Sequence, residues 1–306
     1  MSHVAVVLSG CGVFDGSEIH EAVLVLLALQ EAGAQISIVA PNIEQSEVVN
    51  HLTGEKSEES RNVLVESARI ARAKICALDE FDIQQIDAVI FPGGFGAAKN
   101  LSDFAQQGAN CQVHPQISQL IQQVTDAHIP LGLVCIAPVL AARVLGNVTL
   151  TVGEADDPAV QALTQWDTQH QACSTEQIVC DESAKIVSTP AYMNSENLPA
   201  IRQGIKALVD QVLAWSSNET IRGILQQLPA WQLKEAHLYR TWEMKNFMHA
   251  LAWVEKIAEV AEAHGHHPDL ELGWGYVRMT LFTHDANAIT DKDLQLALAI
   301  EALEMP

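Results

Sequence analysis

The chain has 306 residues, 48% of them hydrophobic, and a formal net charge of −21. That length suits one large or two ordinary domains. The acidity, with no basic block to offset it, argues against nucleic-acid and anionic-membrane partners. Six cysteines at irregular spacings, with no CxxC pair, read as reduced thiols. With no basic leader and no apolar run of about 18 residues, they predict a cytoplasmic chain outside any membrane.

In chain order, Val4–Leu8 reads as a buried strand, Ser17–Ala32 as a helix closed by Gly33, and Gln35–Val39 as a second strand. Ala88–Phe91 runs into Pro92-Gly93-Gly94, and Leu131–Val134 runs into Cys135. Ile186–Ser188 and a helix around Ile201–Leu213 complete this part. Short apolar strands alternating with helices imply a parallel sheet covered on both faces. Ser216-Ser217-Asn218 reads as a polar joint that caps a new helix over Glu219–Leu228, so the domain boundary is expected at 216/217.

Beyond the joint the pattern changes. Trp231–Glu235 and Leu238–Glu243 look like a strand pair, and Phe247, Leu251, Val254, Ala258 and Ala261 form an apolar stripe on a long helix. Leu272–Phe282 alternates, with Val277, Met279 and Leu281 on one face and Trp274, Tyr276 and Phe282 on the other. Thr290–Leu303 is a last helix. This is an α+β domain, an antiparallel sheet with helices on one face.

Half of the twelve histidines lie after residue 217, and two of them, His266 and His267, sit side by side before Pro268. The proline is expected to stop the long helix there, with Glu262 one turn back from His266. Strand alternation places His284 on the face of Trp274, Tyr276 and Phe282. Three imidazoles beside an aromatic wall predict acid/base work on a flat heterocycle, since imidazoles exchange protons near neutrality. A zinc site built on His264, His266 and His267 lacks a completing cysteine or acidic cluster, so no metal is expected.

Leu228-Pro-Ala-Trp231, Lys245-Asn-Phe247, Glu262-x3-His266-His267-Pro268, Trp274, Thr283-His284-Asp285 and Thr290-x2-Asp293 together resemble the pterin-4a-carbinolamine dehydratase family. The resemblance covers Glu219 to Leu303. It implies dehydration of 4a-hydroxytetrahydrobiopterin, or a related pterin, to the quinonoid dihydropterin without metal or other cofactor. It implies His266, His267 and His284 as acid/base and pterin-binding groups, with Glu262 and Asp293 orienting them. Pro268, Trp274 and Thr283 would contact the pterin, and a homo-oligomer is expected.

In the first part, Cys135 sits where a buried strand meets a helix. Helix amides and dipole there are expected to favour the thiolate and lower its pKa. The amides of Ile136 and Gly94 would form an oxyanion hole, and Glu18 or Glu21 would hold the cysteine. Ser9-Gly10-Cys-Gly12-Val-Phe-Asp-Gly16 nearly spells a dinucleotide turn, but its third glycine is one place late and no ribose-binding acid follows.

Ser9–Glu21, Asn50–Glu55, Pro92–Asn100, Cys135-Ile-Ala-Pro138 and Thr189-Pro-Ala-Tyr192 resemble the ElbB branch of the ThiJ/PfpI superfamily over residues 3–215. The resemblance implies a flavodoxin-like, class I amidotransferase-type fold, a three-layer sandwich. It also implies a weak cofactor-independent glyoxalase activity on a small dicarbonyl (glyoxal to glycolate), or a link to isoprenoid biosynthesis. It puts the acidic partner at Glu21. No histidine follows Cys135 at triad spacing, where Gly153-Glu-Ala-Asp-Asp157 stands, so glutaminase activity is not expected. The sequence therefore reads as a bifunctional fusion. The alternative is a dimerisation or coactivator module joined to a redox or stress sensor.

Overall fold

A computed structural model describes residues 2–155, 157–234, 237–284 and 289–305, with backbone alone at 84, 217–227 and 291. The chain divides into two compact units, Ser2–Ser216 and Ser217–Pro306. Among the described residues no helix is long and apolar enough to cross a membrane.

The first unit is a seven-stranded sheet in the order Val179–Asp181, Ile186–Thr189, Leu131–Val134, Ala88–Phe91, His3–Val7, Gln35–Ala40, Cys76–Ala77. Every neighbouring pair is parallel except the edge strand Val179–Asp181, which runs against Ile186–Thr189. Its strands are apolar on both sides because both sides are covered. Ala5, Val7, Phe91 and Leu133 pack with Ile117, Ile121 and Leu140 of two helices, Pro115–Asp126 and Pro138–Leu145. Val4, Val6, Ile90 and Val134 turn the other way, onto Val25 and Leu29 of helix Ile19–Glu31 and onto Leu208 and Val212. The expected flavodoxin-like three-layer sandwich is borne out.

The expected joint at Ser216–Asn218 does not break the chain. One helix, Leu198–Gln227, runs through it, so these residues are interior helix positions and not caps. Serine and asparagine are poor helix formers, but a propensity penalty of a few tenths of a kcal/mol per residue is about what a long helix tolerates.

The second unit is a four-stranded antiparallel sheet in the order Gln232–Lys234, His237–Glu243, Tyr276–Leu281, Asp269–Gly273. Leu238, Trp242, Val277, Met279 and Leu281 form its inner face and pack on helices Phe247–His264 and Asp291–Glu301. The α+β architecture is as expected, but three local readings are corrected. The buried stripe of the long helix is Ala250, Trp253, Ile257 and Ala261, while Phe247 is 48% exposed. Burying the Trp253 ring contributes about 1.5–3 kcal/mol or more, and that fixes the helix rotation. The helix stops at Gly265, whose left-handed φ of 58° caps it, and not at Pro268. The expected single strand Leu272–Phe282 is a hairpin turning at Trp274-Gly275, where Gly275 takes φ 88°.

Candidate active sites

Cys135 follows the buried strand Leu131–Val134, at the carboxyl end of a sheet whose strand ends form the usual ligand-binding edge of such folds. It takes φ 61°, a left-handed conformation costly for a residue with a side chain, and its amide donates to the Thr189 carbonyl at 2.9 Å. The amides of Gly94 and Ile136 point at its sulfur. Gly93 has no room for a side chain: a Cβ there would lie 2.5 Å from that of Cys135 and 2.6 Å from Glu21 Oε2.

Glu21, on the first helix, is fully buried against Cys135. Its Oε2 accepts from the Gly93 amide at 3.0 Å, and its Oε1 from the Tyr192 amide at 3.4 Å. Glu18 serves differently. It caps the helix by accepting from the Glu21 amide at 2.7 Å. Burial, with a smaller push from the Glu18 charge, raises the Glu21 pKa to about 8. Burial and then the Glu21 charge also push the Cys135 thiol well up, against the pull of the Gly94 and Ile136 amides. The expected lowering of the thiol pKa is thus corrected: desolvation outweighs the helix terminus.

A cavity of about 650 Å³ opens beside the sulfur, lined by Cys135, Gly94, Ile136, Glu18 and Tyr192 among others. Sequence reasoning did not single out Tyr192 or His20, although both lie in segments it used. His20 Nδ1 is 2.7 Å from the Tyr192 hydroxyl, a contact across 172 positions that no local pattern signals. Burial raises the Tyr192 pKa, so its phenol stays protonated.

In the second unit the histidines gather at the open end of the hairpin. His266 is nearly buried, with Nε2 2.7 Å from Asp293 Oδ1, and Asp293 is fully buried. The other Asp293 oxygen accepts from the Thr290 amide and the Thr283 hydroxyl, each at 2.7 Å, capping helix Asp291–Glu301. Thr283, expected to touch substrate, instead directs its hydroxyl at Asp293. Glu262 pairs with His267, not with His266: the Nε2 to Oε1 distance is 3.0 Å. Ending the helix at Gly265 moves the two histidines off the helical register, so the i, i+4 expectation does not apply.

His284 Nε2 lies 3.7 Å from Asp269 Oδ2, and both side chains are exposed. Register explains their meeting: Asp269 pairs with Thr280, which puts half-buried Pro268 and exposed His267 near the level of Phe282 and His284. The aromatic ring beside His284 is Phe282, at 4.3 Å, itself stacked on His237 at 4.0 Å. Trp274 stands at the opposite, closed end of the hairpin and is 76% exposed. Tyr276, at that same end, hydrogen-bonds Glu271. The expected wall of Trp274, Tyr276 and Phe282 therefore reduces to Phe282. Asp285 lies outside the described residues.

Comparison with known proteins fits this division. Residues 215–303 match the pterin 4 alpha carbinolamine dehydratase family. A putative pterin-4-alpha-carbinolamine dehydratase of Acidobacterium capsulatum is 43% identical over 91 residues, 30% of this chain and 99% of that protein. The mitochondrial ES1 protein homolog of Rattus norvegicus is 45% identical over 221 residues, 69% of this chain and 83% of that protein. The chain belongs to both families, ES1 by its first unit and pterin dehydratase by its second. A solved structure, the isoprenoid biosynthesis protein with amidotransferase-like domain from Ehrlichia Chaffeensis, is 33% identical with a TM-score of 0.66. It covers 70% of this chain and 99% of its own.

The ES1 relatives correct the expected cytoplasmic location. Those of Rattus norvegicus and Danio rerio, and a class 1 amidotransferase-like relative of Homo sapiens, are named as mitochondrial.

Proposed function

We propose that the second unit dehydrates a 4a-hydroxytetrahydropterin, 4a-hydroxytetrahydrobiopterin being the reference substrate, and releases the quinonoid dihydropterin and water. The observation that carries this reading is the set of imidazole–carboxylate pairs at one end of the hairpin, His266–Asp293 at 2.7 Å and His267–Glu262 at 3.0 Å. Dehydration breaks the C4a–O bond and removes the N5 proton as the C4a–N5 double bond forms. An exposed imidazole backed by a carboxylate suits each proton transfer: His267 with Glu262 takes the N5 proton, and His284 beside Asp269 protonates the departing hydroxyl. His266, locked by buried Asp293, positions the corner. Family membership supports a pterin as partner and an assembly of identical chains.

The test follows quinonoid formation from 4a-hydroxytetrahydrobiopterin by the full chain. Loss of turnover after His266→Ala and His267→Ala together supports the reading, and unaltered turnover overturns it. Retained self-association without turnover in the unmutated chain would favour a dimerisation or coactivator module.

For the first unit, the reading is a Cys135-dependent conversion of a dicarbonyl to a hydroxy acid, glyoxal to glycolate in the simplest case. The amides of Gly94 and Ile136 would hold the carbonyl oxygen. The cavity beside the sulfur and the two amides aimed at it support this over a redox sensor, which needs neither. Cys135→Ser should abolish glycolate formation. Selective oxidation of Cys135 with no turnover would instead establish a sensor.

A further inference from the structure

We infer that His237 is a positioning residue for the dehydration, holding His284 in its acid orientation through the ring of Phe282. The inference rests on the pterin reading above. An imidazole gives up its proton along one N–H direction, so the plane of the ring decides how often that proton meets the C4a oxygen. In the step assigned to His284, the proton passes from a ring nitrogen to the C4a hydroxyl. The C4a–O electron pair departs with the water, the N5–H pair becomes the C4a–N5 double bond, and the N5 proton goes to His267.

Two contacts bear on the plane of His284, which lies beyond the end of strand Tyr276–Leu281 with 58% of its side chain exposed. Asp269 Oδ2 stands 3.7 Å from Nε2, beyond the about 3.2 Å of a hydrogen bond, so this carboxylate attracts the ring without setting its angle. An exposed side chain held only in that way samples other rotamers. The contact that can fix the plane is the Phe282 ring, at 4.3 Å and 38°.

Phe282 needs a support of its own. Leu281 points to the two helices, so Phe282 points to the opposite face of the sheet. There it stacks on His237, at 4.0 Å and 29°. Strand pairing brings the two rings together: Leu238 pairs with Leu281, which sets His237 opposite Phe282. His237 is the anchored end of this row of rings. Its strand is paired on both sides, and Lys234, its partner on the other side, turns its ammonium onto the Tyr239 ring 3.9 Å away. Support therefore runs from the paired backbone to His237, then to Phe282, then to His284.

The test compares kcat and KM for 4a-hydroxytetrahydrobiopterin in the full chain and in His237→Ala, His237→Phe, Lys234→Ala and His284→Ala. An aromatic contact shifts the population it holds by roughly two- to tenfold, so His237→Ala should lower kcat about fivefold with KM within about twofold of wild type. His237→Phe should restore kcat, because a phenyl ring stacks as well. Lys234→Ala removes the neighbour but no ring and should change neither constant. Carbon-13 histidine NMR reads the same link without turnover. The His284 ring protons, assigned by their loss in His284→Ala, should carry a ring-current shift from Phe282 that shrinks in His237→Ala and returns in His237→Phe. Wild-type kcat in His237→Ala or in His284→Ala, or a loss that His237→Phe does not restore, overturns the inference and leaves the dehydratase reading standing. Absence of turnover in the unmutated chain overturns both.

Discussion

His266 Nε2 and Asp293 Oδ1 lie 2.7 Å apart, while Asp293 Oδ2 is held by the amide of Thr290 and the hydroxyl of Thr283. One carboxylate therefore does two things, orienting an imidazole and capping a helix. Asp293→Asn keeps the shape but presents an amide N–H to groups that are already donors. It should lower the stability of the second unit by about 1–3 kcal/mol, measured by urea unfolding. It should also cut pterin turnover by roughly 10- to 100-fold, on the scale of lost orienting partners.

His267 and Glu262 form the exposed counterpart of that pair, with little packing at stake. His267→Ala should reduce kcat by about 100-fold or more while the melting temperature barely moves. Glu262→Gln should fall between wild type and His267→Ala. A large loss of stability in His267→Ala would show a structural histidine instead.

Trp274 belongs to the hairpin tip, at the far end of a strand from the histidines. Trp274→Ala should leave kcat/KM for the pterin within about twofold of wild type. Spacing alone argues the opposite, so this steady-state comparison separates the two readings.

Glu21 makes the stability of the first unit depend on pH. Its carboxyl keeps a proton up to about pH 8 in the folded chain, against an ordinary value of 4.5. Between those values unfolding releases a proton, so stability falls as pH rises, by up to about 1.4 kcal/mol per pH unit. Glu21→Gln should flatten this slope when the first unit's urea transition is followed from pH 5 to 8. An unchanged slope would place the proton elsewhere.

The fold was legible because strands covered on both faces appear as short apolar runs, as at Ala88–Phe91 and Leu131–Val134. The elbow at Cys135 was legible for the same reason, since strand, cysteine and helix are contiguous. Trp274 was misread because a two-residue turn preserves alternation. Gly273 and Gly275 on either side of it were the available signal. The helix stripe was misplaced because equal weight to each apolar residue ignores the size of Trp253. The contact of His20 with Tyr192 joins segments that only the tertiary fold brings together, so no spacing rule reveals it, whereas the family motif already implied Asp293 beside the histidines.

The two units are proposed to carry separate chemistries. The most direct measurement assays dehydration of 4a-hydroxytetrahydrobiopterin by the full chain, its His267→Ala variant and its Cys135→Ser variant under one set of conditions. Separate chemistries require a loss of about 100-fold or more in His267→Ala and wild-type turnover in Cys135→Ser. Turnover that survives in His267→Ala, or falls with Cys135, would contradict it.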